Sequence, residues 1–230
     1  MTAAEKITDS RQARSDATKN ALMRAAEKLI AERGIGNVSI SDIVAAAAQK
    51  NQSALQYHFT NIDGLVETIL ENRSRETHHR RAELVKTLLA RDTQPNLRDI
   101  CMLMVQPAFL LAQESSEYQN YVKAFGHQLV LSERSLLPLV QRRGGGGASG
   151  QKTSELLKAA LPQLTPAHYQ QRMEAAVRLC SASMYYQARQ PKGFKGEQAE
   201  RFLHGLVDAL VGLMSGPISE QSKAAAKKQG

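Results

Sequence analysis

Residues 25–70, AAEKLIAERGIGNVSISDIVAAAAQKNQSALQYHFTNIDGLVETIL, decide the fold. Apolar residues recur here at helical spacing and never alternate strictly, so the stretch reads as consecutive helices. The first runs from about Ala17 to Arg33, places Leu22, Ala26, Leu29 and Ile30 on one face, and is stopped by Gly34. Ser39 caps a second helix, with Asp42 three residues on favouring the same end and Ile40, Ile43, Val44 and Ala47 on its buried side. After the turn Ala48-Gln49-Lys50-Asn51, a third helix spans about Gln52 to Phe59, with Leu55 and Phe59 facing the core together. Thr60 or Asn61 caps a fourth, which continues to Ala90. Leu65, Ile69 and Leu70 anchor one end of it and Leu84, Leu88 and Leu89 the other. Between them RSRETHHRR, residues 73–81, is polar and reads as a solvated face, or as a span between packed regions.

Outward from this stretch the helical pattern continues. Residues 1–16 read as a disordered arm. Past Pro95, helices are expected at about 96–113, 116–131, 152–161, 166–189 and 197–215, with Pro107 kinking the first by removing an internal hydrogen bond. The glycine-rich run 144–150 reads as a flexible loop, Pro191 to Gly196 as a tighter break, and the Ala/Lys-rich tail, residues 218–230, as frayed. The expectation is an all-α protein of about nine helices. An N-terminal three-helix helix-turn-helix domain occupies residues 17–63, and a larger C-terminal helical domain residues 64–217.

Composition narrows the function classes. No window approaches the ~18 consecutive apolar residues of a membrane span, and the polar N-terminus offers no signal-peptide core, so a cytoplasmic protein is expected. Cys101 and Cys180 sit in helical segments without metal-ligand spacing and read as small core residues. His78-His79 are adjacent, about 100° apart on a helix, and cannot share a metal. There is no G-x-S-x-G and no Walker loop, so neither an enzyme nor a metal or cofactor is expected. The net charge of +8 suits a polyanionic partner, but residues 1–60 carry only a small part of it, so bulk charge does not identify a DNA binder.

The local pattern is more informative. Two short helices joined by residues 48–51 match a helix-turn-helix, whose last helix lies in the major groove. Gln52, Ser53 and Gln56 then face outward; glutamine pairs bidentately with adenine, and serine meets several base edges. Tyr57 and His58 can reach phosphate oxygens. On this pattern alone, a three-helix module with merely solvated glutamines stays equally open.

Residues 25–70 also resemble the N-terminal domain of the TetR family. The resemblance rests on Ala25-Ala26 with Leu29, Gly34, the capped start at Ser39, Ile43, Leu55 to Phe59, and Gly64-Leu65, all in order. It implies a homodimer formed through helices 166–189 and 197–215, a palindromic double-stranded operator, and a small-molecule effector in the C-terminal domain. DNA contacts are expected from Lys19, Ser39, Lys50, Asn51, Gln52, Ser53, Gln56, Tyr57, His58 and Asn61. Met104, Phe109, Tyr121, Phe125 and Met173 are the candidate pocket residues, for an apolar or acyl-type effector that releases a repressor from its operator. The sequence departs from the family at Ala48, where glycine is usual, with Asn51 offered for the positive φ that a longer turn needs. It departs again at Gln56, where tyrosine is usual, and at Ile62, where a basic residue is usual; Asn61 and the helix N-terminus substitute there. A sequence-tolerant architectural DNA binder without ligand control, and a protein-binding helical adaptor, are the alternatives.

Overall fold

A computed structural model describes residues 3–131, 133, 135–138 and 147–227. Its first helix, α1 (Ala3–Arg33), has no glycine or proline in its 31 residues and is rich in Ala, Lys, Arg and Glu, all strong helix formers. The expected disordered arm is therefore corrected: from Ala3 onward it is helix. Gly34, at φ 79°, stops α1, and a single 3-10 turn (Ile35–Asn37) leads to α2 (Ile40–Ala46). There follow α3 (Ser53–Phe59), α4 (Ile62–Leu89), α5 (Leu97–Glu114) and α6 (Ser116–Val130). The C-terminal part adds α7 (Gly147–Ala160), α8 (Pro166–Ala188), α9 (Gly196–Ser215) and α10 (Glu220–Lys227). Among the described residues there is no strand.

Local chemistry explains most boundaries. Ser39 and Asp42 form a reciprocal capping box on α2, and Asn96 with Asp99 repeats it on α5. Hydrogen bonds from Ser39 hold the Asp42 carboxyl below its ordinary range. Two loop expectations need correction. Residues 147–150 of the glycine-rich run form the first turn of α7, because Gly147 rests on the ring of His78; a Cβ there would lie 2.5 Å from Nδ1. Gly144, Gly145 and Gly146 lie outside the described residues. In the tail, residues 220–227 are helical, as their alanines and lysines favour.

Two apolar clusters organise the chain. The first gathers Leu22, Ile43, Leu55, Leu65 and Ile69 from α1 to α4, and admits Ala124 and Phe125 of α6. Helix α6 thus serves as the floor of the N-terminal domain, and α1 lies along it. The second cluster joins Ile100, Val105 and Phe109 of α5 to Ala176 of α8 and Leu203, Leu206 and Leu210 of α9. Each fully buried leucine or phenylalanine contributes about 1.5–3 kcal/mol.

The polar stretch of α4 is solvated on one side only: Arg75, Glu76 and His79 are exposed, whereas Arg73, Ser74, Thr77, His78, Arg80 and Arg81 are partly buried. Glu27 of α1, only 1% exposed, receives Arg73 Nε and Nη2, both at 2.7 Å. Burial raises the Glu27 carboxyl above its ordinary range even beside the guanidinium, while its hydrogen bonds to Glu27 keep Arg73 charged. Arg73 also reaches Glu76, and Arg80 pairs with Glu114 of α5. Removing one partner of such a pair strands a buried charge, whereas replacing both removes the desolvation cost as well. We expect Arg73→Met to lower unfolding free energy by about 3–5 kcal/mol in chemical denaturation, and Glu27→Leu/Arg73→Met to recover most of that. Equal losses in the single and double variants would show that the pair does not tie α1 to α4.

Candidate DNA interface and interior cavity

The α2–α3 turn sets the direction of α3. Ala48 N–H bonds Ala45 O and Gln49 N–H bonds Val44 O, each at 3.0 Å, which closes α2 with a Schellman motif. That motif requires a left-handed residue, and Ala48 supplies it at φ 54°. The expectation that Asn51 would take the positive φ is corrected: Asn51 Oδ1 instead accepts the Ser53 N–H at 3.0 Å, starting α3. At the other end of α3, Thr60 takes φ 67° and Asn61 caps α4 by accepting the Gly64 N–H at 2.9 Å. Only glycine fits at position 64, since a Cβ would lie 2.1 Å from Phe59 O.

With α3 so placed, Leu55 and Phe59 are buried while Asn51, Gln52, Ser53, Gln56 and Tyr57 are exposed. Tyr57, at 82% exposure, is the most exposed large side chain on the helix and stacks edge-on with His58. Gln52 Nε2 donates to Ser41 Oγ at 2.6 Å, so α2 orients this glutamine; Gln56 stands clear of that bond. Lys50 and Asn61 are exposed on the flanks. Lys19 is half-buried, its Nζ lying 5.9 Å from the Phe59 ring centroid. Burial first, and Lys19 second, hold the His58 ring below its ordinary range, so near pH 7 it is neutral and offers a hydrogen bond rather than a charge. The Ser39 hydroxyl is spent on the capping box. Sequence reasoning missed Ser41, because its partner is eleven residues away and only the packing of α2 on α3 brings them together.

Below this surface, α4 to α8 line an open cavity of about 1510 Å³. Met104, Tyr121, Phe125 and Met173, four of the five candidates, lie on its wall. Phe109 does not, and that expectation is corrected: it is 1% exposed and packs against Phe194 and Phe202, with ring centroids 5.8 and 6.4 Å away. The polar wall was missed altogether. Ser74, Thr77, His78 and Arg81 all line the cavity. Their spacing of i, i+3, i+4 and i+7 marks one face of α4, and that signal was present in the RSRETHHRR stretch. Cys180 also lines the cavity, its thiol pushed up to about 12 chiefly by burial, while buried Cys101 is pushed up to about 11.

Residues 22–69 match the family model described as bacterial regulatory proteins, tetR family. The N-terminal domain belongs to the TetR family. No curated protein matches the chain. Among solved structures, the fold is similar to that of a TetR-family transcriptional regulator from Rhodococcus sp. (TM-score 0.58, 18% identity, covering 84% of this chain and 98% of that one). It is also similar to Mycobacterium smegmatis AmtR (TM-score 0.51, 20% identity, covering 91% and 92%). At these identities the likeness is one of fold, and it extends beyond the TetR domain to the helices around the cavity.

Within this TetR domain, Ala48 keeps the left-handed conformation that glycine adopts without a Cβ penalty. The left-handed region costs an L-residue about 1–2 kcal/mol, partly offset for glycine by its freer unfolded chain. Ala48→Gly should therefore raise stability by up to about 1 kcal/mol, seen as a higher thermal midpoint. A lower midpoint would mean that the turn is not strained at Ala48.

Proposed function

We propose that this chain is a ligand-responsive transcriptional regulator, a repressor that a small molecule releases from a palindromic operator. One observation carries this reading: the elements that support the recognition surface also wall the cavity. Phe125 belongs to the core of the TetR domain and lines the cavity as well. Tyr118, another lining residue, hydrogen-bonds Thr77 at 2.7 Å and lies 5.8 Å beneath the Arg73 guanidinium, which in turn holds Glu27 of α1. A ligand that displaces α4 or α6 therefore shifts the base on which α3 stands. For release, that ligand must favour the conformation that fits DNA poorly, and DNA must weaken the ligand by the same factor.

In this reading α3 enters the major groove, with Gln56 and Ser53 at base edges and Gln52 oriented by Ser41. Lys50, Tyr57, His58, Asn61 and Lys19 bind phosphates. Dimerisation through α8 and α9 gives the two-fold symmetry. Gly205, Ala209 and Gly212 are exposed on α9, and nothing lies within 4 Å of a Cβ built on either glycine, which leaves room for a close helix approach. A dimer reads two half-sites about one helical turn, or a multiple of it, apart.

Footprinting on DNA flanking the coding region tests this directly, with protection of a two-fold symmetric site expected. Gln56→Ala should cost about 1–3 kcal/mol and relax preference at one position of each half-site. Lys50→Ala should weaken all sequences alike and reduce the salt slope by about 1. Protection without symmetry, or affinity indifferent to Gln56, would overturn the reading.

A further inference from the structure

Among the described residues, no counter-charge meets one cation on the cavity wall. Arg81, on the inner face of α4, donates Nε–H to Leu103 O of α5 at 3.2 Å. Leu103 has a particular reason to accept. Pro107 stands four residues further along α5 and has no N–H, so the Leu103 carbonyl lacks its helical partner. Arg81 satisfies that carbonyl, and the bond fixes the plane of the guanidinium. Among the described residues, no hydrogen bond or ion pair engages Nη1 or Nη2.

Other arginines of this stretch are treated differently. Arg73 has Glu27 and Glu76, and Arg80 has Glu83 and Glu114. Around Arg81 the groups that could carry negative charge are the Tyr118 phenol and the Cys180 thiol. Burial pushes both upward, so neither is ionised near pH 7. Glu155 is the one carboxylate on the cavity lining among the described residues, and it is exposed and lies 3.5 Å from Lys152. Burial also lowers Arg81 from its ordinary value, which measures how poorly its charge is compensated. The remaining wall is largely apolar: Leu70, Val105, Val122, Phe125, Met173 and Met184.

We propose that the cavity selects an amphiphilic organic acid, its carboxylate held by the Nη1–H and Nη2–H of Arg81 and its apolar body lying against α5, α6 and α8. The planar fork of a guanidinium matches a carboxylate bidentately. Such a pair gives the guanidinium a charged hydrogen-bonding partner in place of the hydration that burial removes from Arg81. This deepens the effector reading of the cavity and rests on it. It also narrows the apolar or acyl-type effector expected from the sequence to one carrying a single negative charge.

The test uses the full chain and the neutral fluorophore N-phenyl-1-naphthylamine as a cavity reporter. Decanoate and 4-phenylbutanoate compete with it, each compared with its own primary amide. Each acid should displace the reporter at roughly ten-fold lower concentration than its amide, as expected when a charge-assisted hydrogen-bonded pair is gained. In Arg81→Met, reporter and amide affinities should persist, showing an intact cavity, while the acid advantage disappears. Lys158→Met, at an exposed lining position, should keep that advantage. Acid and amide competing equally in the wild-type chain would overturn the proposal and leave the effector cavity standing. So would an acid preference that survives Arg81→Met or is lost in Lys158→Met. Failure of the reporter to bind the wild-type chain would overturn both.

Discussion

Placing Glu27 of α1 at 1% exposure obliges the chain to bring a cation to it, and Arg73 of α4 is that cation. An unpaired carboxylate at such a site would be strongly destabilising, so the pair fixes where α4 crosses α1. The rest of α4 follows from that register. One turn on, Thr77 meets Tyr118, and a further turn brings Arg81 to Leu103. One helix thereby ties the TetR domain to the cavity wall.

Helix α6 reinforces the connection from the other side. Its Ala124 and Phe125 complete the N-terminal core, while Tyr118, Tyr121 and Phe125 face the cavity. Packed interiors transmit displacement because they contain little slack. The two domains are therefore not beads on a linker; they share a floor. Proline adds a second constraint. Pro107 leaves the helix α5 unbroken but frees one carbonyl, and Arg81 answers it from α4. An interruption that looks like a defect in one helix becomes the anchor of a side chain in another.

The parts legible beforehand were those governed by neighbours in sequence. The Ser39 capping box, the stop at Gly34, the Asn61 cap and the buried pair Leu55 and Phe59 all depend on residues within four positions. The misjudged parts depend on distant partners. Phe109 carries the same helical signal whether it faces a cavity or α9, and only the packing of Phe194 and Phe202 against it chooses. The polar stretch of α4 leaves a solvated face and a span between packed regions equally open in the sequence, because its partners lie on α1 and α5. Ala48 broke a local rule, and the strain fell on it rather than on Asn51, since the Schellman hydrogen bonds require the positive φ at that position.

By itself, the sequence determined an all-α protein, the helix-turn-helix, and the face of α3 that stays outside, because periodicity and capping act over a few residues. Tertiary structure alone decided which polar residues turn inward. Only the arrangement of α4 to α8 creates an interior with Ser74, Thr77, His78 and Arg81 on its wall. The physical reason is that burial is a property of the assembled helices: whether a charged side chain meets water, a carboxylate or an empty cavity depends on neighbours far away in the chain.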